Sequence, residues 1–168
     1  MTTGTSTFST STRSVQTKPK PIAKGKYNGT LRTGKLEARG SKNTPGKPVR
    51  IAGAYVEVPQ DSGKPYRVYL DIYTSLKPGK DGIPMTDRGG QIVQLAAALQ
   101  SPLDGIETHT ATYTDEKEGE VTCEFIDPAA VKAYLTNFDG TSVRVDIGVE
   151  NDLDGNPTNK VKQFLPAE

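Results

Sequence analysis

The chain has 168 residues; 33% are hydrophobic, and it contains no Trp, one Cys and one His. That size suits one modest core plus a tail, and 17 Gly with 12 Pro favour short strands joined by turns over a helical bundle. One cysteine, Cys123, excludes an internal disulfide framework, no apolar stretch approaches the ~20 residues of a membrane span, and no secretory-type apolar core follows Met1, so a reducing, cytoplasmic setting is expected.

The formal net charge of +1 conceals two opposed halves. Residues 1–50 hold eleven Lys or Arg and a single acid, Glu37, a charge of +10. Residues 51–168 hold ten bases and nineteen acids, −9. Such a directional field points to a polyanion as the partner of the basic half.

Residues 1–25 read as a disordered tail. Its first 17 positions are mostly Ser and Thr, which bury too little surface to offset ordering entropy. Lys18, Lys20, Lys24 and Lys26, punctuated by Pro19 and Pro21, form an extended basic arm. The folded domain is expected over 26–168. Tyr27, Leu31 and Leu36 mark a poorly alternating strand over 27–38. Residues 39–48 are a basic loop rich in turn formers. Over 49–58 the apolar phase switches between Val49/Ile51 and Val56/Val58, and a bulge at Gly53 would reconcile the two.

Residues 66–73 carry the cleanest period-two pattern. Tyr66, Val68, Leu70 and Ile72 alternate with Arg67, Tyr69, Asp71 and Tyr73. The intervening segment 59–65 makes a hairpin. Pairing Val58 with Tyr66 puts Tyr55 opposite Tyr69 and predicts an outer face of Tyr55, Tyr69, Tyr73 and Arg67, with Arg50 nearby.

An amphipathic helix is predicted over 88–100 from Ile92, Leu95, Ala96 and Leu99, capped by Thr86 or Asp87. Two short strands, 108–114 and 119–126, flank an acidic turn, with Val121, Cys123 and Phe125 on one face. A second helix opens with Asp127 as cap and Pro128 at its first position, carries Val131, Tyr134, Leu135 and Phe138, and stops by Gly140. Residues 142–150 alternate with Val143, Val145, Ile147 and Val149 inward. A polar turn leads to a last strand around Val161 and Phe164.

No catalytic constellation emerges. His109, the sole histidine, lies between threonines in a strand and has no evident nucleophile. One His and one Cys are too few for an ordinary zinc site. Gly29-Thr-Leu-Arg-Thr-Gly34-Lys35-Leu36 imitates a phosphate-binding loop, but Leu36 stands where Ser or Thr must hold magnesium. Asp152, Asp154 and Asn156 resemble part of a calcium loop, but Gly155 comes too early and the closing acid is missing; a hairpin turn accounts for them. The reading is a non-enzyme that needs no cofactor or metal.

What remains is a stacking surface. Sequence-independent single-strand binders combine a basic groove with aromatic platforms. Tyr55, Tyr69 and Tyr73 are the candidate stacking residues. Lys35, Arg39, Lys42, Lys47, Arg50 and Arg67 are the candidate phosphate contacts, and the arm 18–26 would add salt-dependent affinity.

The order of motifs resembles the small phage-type single-stranded-DNA-binding proteins built on an OB fold. Gly25-Lys-Tyr-Asn opens a first strand. Ser41-Lys42 and Gly46-Lys47-Pro48 make a basic loop, and Gly63-Lys-Pro-Tyr66 leads the central strand. Asp127-Pro128 precedes Phe138-Asp-Gly140, and Asp154-Gly-Asn156 with Asn159-Lys-Val161 closes the series. The resemblance implies a mainly β (α+β) fold: an OB-like five- or six-stranded antiparallel barrel with one or two short helices. It implies single-stranded DNA binding in phage replication or recombination, in the host cytoplasm. A homo-oligomer and phage replication or recombination proteins are the further partners it suggests. It places the ligand across strands two and three, between loops 39–48 and 150–159. The second loop departs from the pattern, with Glu150, Asp152 and Asp154 where basic residues would serve better. The alternative is a virion structural or assembly protein whose N-terminal arm orders on assembly. A hydrolase or nuclease using acids of 115–127 is disfavoured.

Overall fold

A computed structural model describes residues 20–78 and 84–167. Among them, nine strands and two helices follow in order: β1 (Gly25–Arg39), β2 (Arg50–Val58), β3 (Tyr66–Tyr73), β4 (Leu76–Pro78), β5 (Pro84–Thr86), α1 (Asp87–Ala98), β6 (Thr108–Asp115), β7 (Gly119–Ile126), α2 (Pro128–Asn137), β8 (Ser142–Asn151) and β9 (Pro157–Leu165). The mainly β expectation holds, and so do both helices. Most of the expected tail, residues 1–19, lies outside the described residues. The folded part starts earlier than residue 26. Ile22 donates its N–H to Asn159 Oδ1 at 2.9 Å, and its carbonyl accepts from Asn159 Nδ2 at 3.0 Å. Asn159 is buried, so this pairing satisfies an amide that would otherwise be costly inside.

The main sheet is antiparallel with order β3-β2-β1-β8-β9. Its centre is the 15-residue β1, which pairs with β8 over Gly25–Thr30 and with β2 over Thr30–Arg39. Sharing one long strand between two partners lets the sheet curl around a single core. Leu31, Ile51, Val56, Val68, Ile72, Val145, Ile147 and Phe164 face inward. Ile92 and Leu95 of α1 and Val131 and Leu135 of α2 close over them. Burying each such side chain stabilises by roughly 1.5–3 kcal/mol, so this face decides what is inside.

The expected barrel is instead an open five-stranded sheet, because β3 and β9 share no ladder among the described residues. The physical reason lies in α1. Gln91 Nε2 donates to the Val161 carbonyl at 2.9 Å, and the Phe164 N–H donates to Gln94 Oε1 at 3.2 Å. Backbone groups of β9 are thus satisfied by helix side chains.

The expected phase switch in β2 is a bulge. Gly53 has φ +104°, and the registers of β1–β2 and β2–β3 both shift beside it. Ile51 and Val56 therefore both point inward despite their opposite parity. The hairpin register is as reasoned, with Val58 opposite Tyr66 and Tyr55 opposite Tyr69.

Two local expectations need revision. Val149 is 44% exposed, whereas Val143, Val145 and Ile147 are buried. Alternation reports the side of a strand, not how far the core extends beneath it, and the β8–β9 hairpin runs past the core's end. Val121, Cys123 and Phe125 do share a face, but it is only half-buried, because β6 and β7 form a separate two-stranded sheet. Asp127 caps α2 as expected, accepting from the Ala130 N–H. Thr86 stands at the N-cap of α1 without a side-chain cap bond.

Candidate nucleic-acid interface

Strand alternation puts Arg67, Tyr69, Asp71 and Tyr73 on the outer face of β3, and the register sets Tyr55 of β2 beside them. The Tyr55 and Tyr69 rings lie 5.3 Å apart at a 52° tilt. The Arg67 guanidinium stands over the Tyr55 ring, 4.7 Å from its centroid, a cation–π contact. A hydrogen bond to the Tyr69 side chain is the chief cause holding the Arg67 guanidinium above its ordinary value. Tyr69 is 58% exposed, so its ring is open to a stacking partner. Tyr55, its cross-strand neighbour, is half-buried.

A second cluster forms where three strands end together. Arg39 of β1 pairs with Arg50 of β2, and Arg50 pairs with Tyr73 of β3. This row and the loop after β1 line a cavity of about 1010 Å³, with Arg39, Lys42, Lys47, Arg50 and Tyr73 among its walls. Two arginines are partly compensated: Arg50 Nε lies 3.4 Å from Asp71 Oδ1, and Arg39 lies 3.3 Å from Glu37. The loop carrying Lys42 and Lys47 rests against the β6–β7 hairpin, where Gly46 packs by Thr112 and Tyr113. A smaller cleft between loop and hairpin is lined by Gly46, Lys47, Ala111 and Phe125.

Eight of the nine candidate residues thus fall into two adjoining groups on one side of the sheet: Tyr55, Tyr69 and Arg67, then Arg39, Lys42, Lys47, Arg50 and Tyr73. Lys35 joins neither. It sits in the β1 bulge, where its carbonyl packs against Gly53. Residue-by-residue reading missed Arg32, which lies opposite Tyr55 and 3.9 Å from Asp139. It also missed Lys160 and Lys162, exposed on β9. Alternation about Val161 could have found both lysines.

The acidic loop has a structural role. Asp152 Oδ1 accepts from the N–H groups of Asp154 and Asn156 at 2.9 Å each, and Gly155 completes the turn at φ +81°. These bonds make the turn of the β8–β9 hairpin. His109 Nε2 meets Asp127 Oδ1 at 2.9 Å, tying the β6–β7 hairpin to the start of α2. Glu107 is close enough that the three could offer ligand atoms within 4.8 Å of one another. Both Asp127 oxygens are already engaged, one by His109 and one by the cap. No helix among the described residues is long and apolar enough to cross a membrane.

The chain matches no model of a known protein family, and no curated protein matches it in sequence.

Proposed function

We propose that this protein binds single-stranded DNA without strong sequence preference and without catalysis, as a module of phage-type DNA replication or recombination. Bases stack on Tyr69, backed by Tyr55, and on Tyr73. Phosphates are held by Arg67, Arg39, Lys42, Lys47 and Arg50. The observation that carries this reading is the continuity of the exposed tyrosine face with the 1010 Å³ basic cavity at its end. Aromatic rings beside a cationic groove suit a flexible polyanion with exposed bases. Duplex DNA keeps its bases stacked and offers such rings nothing. The OB-like character belongs to the same proposal: the strand order, with β3 and β9 at the two ends of a curled sheet, is compatible with a barrel opened at one seam.

The test is a fluorescence titration with oligo-dT at several salt concentrations. Binding is expected to weaken linearly on a log–log plot, by about 0.7 per phosphate contacted. Absence of binding at low salt, or an affinity indifferent to salt, refutes the proposal.

A further inference from the structure

We propose that the bound strand continues from the tyrosine face into the seam between β3 and β9, where Lys160 and Lys162 hold its phosphates. The inference rests on the single-strand-binding reading above and extends it from the tyrosine face to β9, which that reading does not use.

The seam is a cleft of about 320 Å³. One wall is the outer face of β3, with Tyr69, Asp71 and Tyr73. The other is β9, with Lys160 and Lys162, and Glu150 of β8 beside them. Its size falls at the lower end of the roughly 300–1,000 Å³ typical of ligand clefts. Tyr73 lines both this cleft and the basic cavity, so the two are parts of one path around the end of β3. Tyr69 also lines the cleft, so an aromatic ring is available there for a base.

The charge of the cleft favours a phosphate. Asp71 is compensated by Arg50 at 3.4 Å. With Lys160, Lys162 and Arg50 against Asp71 and Glu150, the balance around the cleft is one positive charge. The backbone directs one of these lysines. The β8–β9 register shifts between Asp146 and Ile147, which pair with Gln163 and Val161, so Lys162 is the extra residue of a bulge. Bulges re-aim side chains. The Lys162 stem lies across Gly148, where a Cβ would come within 2.2 Å of Lys162 Cε. Glycine at 148 leaves room for the lysine to lie on β8, and a stem already laid down loses less freedom on binding.

The experiment uses the full chain and oligo-dT, with a salt series for the wild type, Lys160→Ala, Lys162→Ala and the double variant. Lys132→Ala on α2 is the control. Each cleft substitution is expected to lower the log–log salt slope by about 0.7, and the double by about 1.4. Affinity at low salt should fall several-fold in the double variant, while Lys132→Ala leaves the slope unchanged. If the wild type binds and the double variant keeps its slope and affinity, the seam path is overturned while the tyrosine-face reading stands. An equal change in Lys132→Ala also overturns it, since overall charge would then set the slope. A wild type that binds no oligonucleotide overturns both readings.

Discussion

Replacing Tyr69 with alanine separates stacking from charge. The ring is 58% exposed and touches Tyr55 at 5.3 Å, so little of it supports the core. Losing that aromatic contact costs the fold less than about 1.5 kcal/mol. Losing a stacked base costs binding about 1–3 kcal/mol, which is roughly a 5- to 150-fold weaker Kd. The assay pairs oligo-dT titration across salt concentrations with urea unfolding of the same variant. The expected outcome is a clear loss of affinity, an unchanged salt slope and a small stability change. Tyr69→Phe should bind close to wild type, because the ring remains and only the hydroxyl's bond with Arg67 goes. A Tyr69→Ala variant that binds as the wild type does refutes stacking on this ring. A loss accompanied by a reduced salt slope refutes it equally, since the ring would then act by placing cations.

Further outcomes follow from the scaffold. Gly53→Ala puts a Cβ 2.2 Å from the Lys35 carbonyl oxygen at φ +104°, so it should destabilise by more than the ~1–3 kcal/mol of backbone strain alone; a denaturation midpoint equal to wild type would refute the bulge argument. Asp127→Ala removes the α2 cap and the His109 contact together, and an unfolding free energy lower by at least about 1 kcal/mol is expected, with His109→Ala costing less. The Asp115 carboxyl is held below its ordinary value, first by the N–H of Lys117 and then by that of Glu118. Its folded form is favoured when ionised, so its contribution is present above the unfolded value near 3.8 and is lost as pH falls through the lower folded value. A carboxyl NMR titration with a midpoint at or above 3.8 would contradict that.

Much of the fold was legible because its signals are local. The parity of 66–73 marks β3 and its outward tyrosines. The phase change across Gly53 marks the bulge, since two buried sets of opposite parity cannot share a face without an extra residue. Asp127-Pro128 marks the start of α2 through cap chemistry that needs only neighbouring residues. One of the two groups of the candidate interface, Tyr55 with Tyr69 and Arg67, followed from one hairpin register.

The remainder depends on contacts between residues far apart in sequence. No spacing rule reveals that Arg39, Arg50 and Tyr73 end three strands in one row, because that row requires the pairing of β1 with β2 and of β2 with β3 together. The open seam was likewise hidden: it depends on Gln91 and Gln94 of a helix reaching backbone groups of a strand 70 positions away. Val149 looked like core because alternation cannot measure where the core stops. Local signals specified seven of the nine described strands, most of their faces, the Asp127 cap and the separation of charge, but not the short β4 and β5 or the missing side-chain cap at Thr86. Only the tertiary structure decided which faces adjoin, since side-chain period is a property of a segment, whereas a groove between β3 and β9 exists only once the sheet has curled.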